Sequence, residues 1–266
     1  MILILLLLII TASTSAKTVY ITPGQWGLLF EENDPFFNGD DQRRPTCELK
    51  RTLERNGFIV KQADSLKHLD DVHCIIAFDV PFNQLEDLKA YPIEKRFLFL
   101  WEPPSVTPGN YEKFYHSYFS RVYTWHDGFV DLKKYLKFFY PVMNPMIGDL
   151  IPFENRRFAT LIAANKGSHH PDELYSARIN AIEFFESQHP QDFDLYGRWW
   201  GHYRSYKGSI VRKVDVLKYY KFCICYENIK NVPGYVTEKI FDCFRAGCIP
   251  VYWGADNVTD YIPAGC

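Results

Sequence analysis

From residue 17 onward, short β-rich runs alternate with segments of helical period, and this order restricts the fold more than any other feature of the chain. "TVYIT" is followed by a helix across "CELKRTLERNG" closed by Gly57, then by "FIVKQ" and "VHCIIAFDV", with further strands at "RFLFLWE" and "RVYTW". Strand, helix, strand in this order implies right-handed crossovers and a mostly parallel sheet covered on both faces. Tyr140–Arg157 then carries three prolines and no period, which marks a linker. A second alternation follows. "RFATLIAANK" reads as a strand and "DELYSARINAIEFFESQ" as an amphipathic helix with Leu174, Ala177, Ala181, Ile182 and Phe185 on its apolar face. "DFDLYG" and "YKFCICYEN" read as strands, "TEKIFDCFRAG" as a helix and "CIPVYWG" as a strand. The expected fold class is α/β, with two Rossmann-like domains over residues 17–150 and 151–266 facing a cleft.

With 47% hydrophobic and 17% aromatic residues among 266, the chain has apolar surface for one large core or two modest ones. Its formal net charge of −2, with both signs interspersed, excludes the basic field that nucleic-acid binding requires. Residues 1–16 form an apolar run from Ile2 to Ile10 and then small residues with a cleavage site after Ala16. The run lacks a basic flank and falls short of the ~20 residues of a spanning helix, so a signal peptide or clipped membrane anchor is expected, with a buried first strand as the alternative. Secretory or membrane-associated localisation follows, or the cytoplasm if the segment is no signal. Seven cysteines contain no C-x-x-C pair, and Cys223 and Cys225 alternate in an apolar strand as small core side chains.

The chemistry concentrates in Tyr220–Gly254, where a buried strand leads through a loop into a helix capped by Thr237 and ended by Gly247. In such a βαβ unit ligands bind at the carboxyl ends of the strands, and the helix N-terminus favours an anion. Lys239 adds charge for a phosphate, and the Glu238 carboxylate suits two neighbouring sugar hydroxyls, which together suggest a nucleotide. The alternative is a solvated first helical turn in which Glu238 only complements the dipole.

The same run, "YKFCICYEN" followed by "GYVTEKIFDCFRAGCIPVYWG", resembles the signature of the α1,3/α1,4-fucosyltransferase family (glycosyltransferase family 10). That resemblance implies a glycosyltransferase B fold and inverting transfer of L-fucose from GDP-fucose to a hydroxyl of an N-acetylglucosamine-containing glycan, in α1,3 linkage. It implies no required cofactor, with Mn²⁺ or Mg²⁺ as a stimulant. By the same resemblance Glu227, Asn228, Tyr235, Glu238 and Lys239 hold the donor, and the pyrophosphate-contacting arginine falls on Arg178, whose alternative is an exposed helix arginine. "FLFLWEPPSV" resembles the segment that bears the catalytic base, which places that role on Glu102; the alternative is a loop carboxylate, with Glu94 or Asp127 as the base. The family pattern continues beyond the signature, so the second domain is expected to be incomplete at its C-terminus. The rival readings are a B-fold transferase for another nucleotide sugar and a catalytically silent nucleotide- or carbohydrate-binding protein.

Other signals are weaker. Asp192 and Asp194 read as ordinary strand-end residues, not a metal motif, and His169–His170 as a surface loop. "GRWWGHYRSYKG" is a loop, either facing the cleft or packed with solvated basic residues, and Asn257 opens a glycosylation sequon.

Overall fold

Runs such as Val72–Phe78, apolar on both faces, pair well only inside a parallel sheet, and that is how the first half folds. The computed structural model describes residues 17–23, 27–33 and 39–265, so the expected signal segment and Cys266 lie outside the described residues. The strands β1 (Lys17–Thr22), β2 (Phe58–Gln62), β3 (Val72–Phe78), β4 (Arg96–Leu100), β5 (Arg121–Thr124) and β6 (Tyr135–Lys137) form one sheet in the order β2-β1-β3-β4-β5-β6. Every pairing in it is parallel. β6, three residues long, has no periodicity of its own and was not legible in sequence.

The first crossover is α1 (Arg44–Arg55), opened by Pro45 in its first turn and stopped at Asn56 before Gly57, whose φ of 85° is left-handed. Single-turn helices α2 (Leu85–Leu88) and α3 (Lys113–His116) serve the later crossovers. Ile75, Leu98, Leu88 and Phe119 meet in the core with no exposed surface, each contributing about 1.5–3 kcal/mol by burial.

The second half repeats the plan. β7 (Arg157–Ile162), α4 (Tyr175–Gln188), β8 (Phe193–Tyr196), α5 (Lys213–Leu217), β9 (Tyr220–Tyr226), α6 (Glu238–Arg245) and β10 (Ile249–Trp253) follow in order. Their four parallel strands lie in the order β10-β9-β7-β8. Cys223, Cys225, Cys243 and Cys248 are buried free thiols in its core, so the cysteines act here as small apolar side chains.

The compact units divide between Phe139 and Tyr140, earlier than the boundary expected at 150, and the second unit also takes in Gly39–Asp41. Asp40 explains the exception: its carboxylate accepts from the Lys213 backbone N–H, and its carbonyl accepts from Asn144 Nδ2 at 3.1 Å. Among the described residues no helix is long and apolar enough to cross a membrane.

Candidate functional site

The second unit places its charged residues at the carboxyl end of β9. Thr237 caps α6 by accepting from the Lys239 N–H, and at the other end Gly247 takes φ 61° while the Cys248 N–H donates to the Cys243 carbonyl at 2.9 Å. The Thr-Glu-Lys triplet turns out to hold an inner carboxylate. Glu227 has no exposed surface, and its two oxygens accept from Thr237 N (2.9 Å), Thr237 Oγ1 (2.9 and 2.8 Å) and Lys239 Nζ (2.9 Å). Gly254 makes room for it: a Cβ there would meet Glu227 Cγ at 2.6 Å and the Tyr252 hydroxyl at 2.4 Å.

Arg178 corrects one alternative. It is buried, not an exposed helix arginine, and its Nη2 donates to the carbonyls of Tyr226 (2.7 Å) and Glu227 (2.8 Å) and to Asn228 Oδ1 (3.1 Å). One guanidinium thus fastens the end of β9 to α4. Tyr235 is buried within electrostatic range of Arg178. The structure therefore gathers Arg178, Glu227, Asn228, Tyr235 and Lys239 into one cluster.

Glu238 faces a second group of charges. Lys213 Nζ lies 3.5 Å from Glu238 and 3.0 Å from Asp242, with Asp40 at 3.9 Å. Burial works against ionisation of Glu238, yet the Lys239 and Lys213 charges hold its carboxyl down at about 2. Burial also opposes the charge on Lys239, and Glu227 and Glu238 overcome it to raise its pKa. The first turn of α6 is therefore an interlocked network, not a solvated helix start. Lys213, Asp242 and Asp40 escaped the sequence reading; only the i, i+4 spacing of Glu238 and Asp242 hinted at a shared face.

In the first unit Glu102 follows β4 and is half-buried. Its carbonyl accepts from the Tyr111 hydroxyl at 2.9 Å, and its N–H donates to Asp79 Oδ1 at 3.1 Å. Burial first, and then the Glu102 charge, push the Asp79 carboxyl up to about 8. Asp79, just past the end of β3, was missed in sequence, although a carboxylate at a strand's carboxyl end is the place to look. The two substitute bases fare poorly. Asp127 is paired with Lys137 at 2.6 Å, and Glu94 lies exposed before β4, at the opposite end of the strand from Glu102.

Three other expectations resolve. Asp194 is no ordinary strand-end residue: it is buried within β8, accepts from the Tyr220 hydroxyl at 2.7 Å, and pairs with Arg157 and Lys207. In "GRWWGHYRSYKG" Trp200 is buried and donates to the Ala163 carbonyl at 2.7 Å, while Trp199, Arg204 and Lys207 are exposed. The Asn257 amide of the sequon is engaged, accepting from Gly234 N at 2.9 Å and donating to Asp260 at 3.2 Å.

Comparison with known proteins gives the site a context. The model of glycosyltransferase family 10 (fucosyltransferase), C-terminal domain, matches residues 156–266. A putative fucosyltransferase-like protein of Arabidopsis thaliana is 34% identical over 125 residues, 47% of this chain and 21% of that protein. The alpha-(1,3)-fucosyltransferase FucT of Helicobacter pylori is 34% identical over 110 residues, 41% of this chain and 20% of that one. The chain thus spans about a fifth of the length of these curated relatives. The crystal structure of an alpha1,3-fucosyltransferase with GDP superimposes at a TM-score of 0.53 and 17% identity, covering 94% of this chain and 72% of that one, a likeness of fold. The match to glycosyltransferase family 10, the fucosyltransferases, thus falls on residues 156–266, which hold the whole Arg178–Glu227–Lys239 cluster.

Proposed function

We propose that the chain is an inverting fucosyltransferase that moves L-fucose from GDP-fucose to a hydroxyl of an N-acetylglucosamine-containing glycan, in α1,3 linkage. The observation that carries this reading is the lock of Glu227, Thr237 and Lys239 at the N-terminus of α6, inside the segment the family model matches. It fixes a lysine where a helix end already favours an anion.

In this reading Lys239 and Arg178 meet the departing pyrophosphate, whose negative charge builds as the bond to fucose breaks. Glu238, ionised across the neutral range, accepts from the ribose hydroxyls; Tyr235 and Asn228 complete the donor pocket. Glu227, wholly buried, acts through Lys239. Glu102 takes the proton of the acceptor hydroxyl as its oxygen attacks the anomeric carbon, typically worth ~10²–10⁴-fold. The leaving group is already an anion, so no acid is needed, and a divalent cation enters only as a stimulant. Residues 1–16 serve as the secretory signal, with the Golgi lumen as destination in a eukaryote, which fractionation of a tagged chain tests.

The decisive measurement is GDP release from GDP-fucose with and without N-acetyllactosamine. Release that depends on the acceptor, with a melting temperature raised by GDP and not by UDP or sulfate, is the expected result. Equal response to all three ligands, or GDP binding without transfer, overturns it in favour of another nucleotide sugar or a silent binding protein.

A further inference from the structure

Three side chains from three separate segments converge on the peptide groups around Glu102. Asp79 Oδ1 accepts from the N–H of Trp101 at 2.7 Å and of Glu102 at 3.1 Å. The Tyr111 hydroxyl donates to the Glu102 carbonyl at 2.9 Å, and Trp125 Nε1 donates to the Trp101 carbonyl at 3.1 Å. Pro103 and Pro104 follow directly, so the backbone that bears the Glu102 side chain is held on both sides.

Asp79 is the most unusual of the three. It sits at φ 63°, a left-handed conformation that a residue with a Cβ adopts only when its surroundings enforce it. Its own N–H donates to the Phe99 carbonyl at 2.8 Å, so backbone and side chain together continue the β3–β4 ladder past the end of β3. The side chain is 2% exposed, out of reach of a substrate.

We propose that Asp79 is the positioning residue of Glu102: by accepting two successive N–H groups it fixes the direction in which the Glu102 carboxylate leaves the strand. The inference rests on Glu102 being the base. The role is compatible with an acid here. The titratable groups facing Asp79 are Glu102, whose charge opposes one on it, and Tyr111, whose phenol Asp79 and burial keep protonated, while the N–H groups of Trp101 and Glu102 and the Asn110 amide favour a charge on Asp79. With its carboxyl pushed up to about 8, Asp79 keeps its proton at neutral pH and adds no second negative charge beside Glu102.

The test uses the full chain with GDP-fucose and N-acetyllactosamine, comparing D79A, D79N and E102Q, with the GDP-induced thermal shift as an independent readout of the donor site. D79A is expected to lower kcat by ~10–100-fold with KM for GDP-fucose unchanged, since a loosened base is misplaced while the donor cluster is untouched. D79N, whose amide oxygen can accept the same two N–H groups, is expected to recover most of that turnover. Wild-type kcat is expected to fall above about pH 8 as Asp79 ionises, and D79N to stay level there. Wild-type turnover in D79A alongside a dead E102Q overturns the positioning role, as does a D79N variant no better than D79A at any pH. If D79A fails to fold, the profiles of wild type and D79N decide alone, and coincident curves from about pH 6 to about pH 9 overturn it. Near-normal turnover in E102Q instead removes the base assignment itself.

Discussion

Asp79 in the first unit and Glu238 in the second are both acids close to the carboxyl end of a parallel strand, yet one carboxyl is pushed up to about 8 and the other held down at about 2. Burial works in the same direction on both. The difference lies in what faces them: Glu238 meets Lys239 and Lys213, whereas Asp79 meets Glu102 and the phenol of Tyr111. The first unit thus secures its carboxyl with neutral backbone donors and a retained proton, and the second with opposite charge. A cation-lined site suits an anion, and in the proposed reading a first unit with no added charge beside Glu102 suits a base.

The contrast breaks first at Lys239. Lys239→Ala leaves Glu227 buried with its Thr237 bonds but without its lysine counter-charge, so unfolding free energy measured by urea titration should drop by about 3–5 kcal/mol, alongside the loss of donor use. The Glu227→Gln, Lys239→Ala double variant should regain part of that stability; a single variant as stable as wild type removes the claim that charge locks this site.

On the other side, Glu102→Gln should lower kcat by ~10²-fold, about 2.7 kcal/mol of barrier, while the GDP-induced thermal shift stays at the wild-type value. A fall in donor affinity of the same size would mean the two units do not divide the work as described.

Gly254→Ala probes the packing behind the lock. Its Cβ would press on Glu227 Cγ and the Tyr252 hydroxyl, so a loss of about 1–3 kcal/mol in urea titration is expected, with Lys239-dependent donor use weakened in parallel. Unchanged stability would show that Glu227 can shift. A smaller effect is expected of Tyr111→Phe, which removes the bond to the Glu102 carbonyl and should cost about 0.5–1.5 kcal/mol of stability, with kcat reduced and KM for GDP-fucose unaltered.

The pH dependence of stability sharpens the comparison most finely, because the two carboxyls contribute with opposite sign. Glu238 has a folded value below its usual 4.5, so its contribution is present above that pH and is lost as pH falls toward about 2. Asp79 has a folded value above its usual 3.8, so its contribution is complete below that pH and is lost as pH rises through about 8. Melting curves of Glu238→Gln and Asp79→Asn should therefore depart from wild type at opposite ends of the pH range, and a departure at the same end would refute the assignment.

Much of this was legible in the chain itself. Alternating apolar runs and helical periods determined the parallel α/β class, because strands buried on both faces leave few other solutions. Thr237 and Gly247 marked the limits of α6 by cap chemistry that is local in sequence, and the Tyr220–Gly254 run carried the family resemblance. Contacts between distant residues decided the rest. Whether Arg178 is exposed or buried depends on the end of β9, about fifty residues away, and whether Glu238 is solvated depends on Lys213 and Asp40, which share no motif with it. The sequence could name Glu227, Lys239 and Glu102 as residue types fit for the chemistry. Only the tertiary structure settles which carboxyl is ionised, because a pKa is set by burial and by the charges that folding brings near.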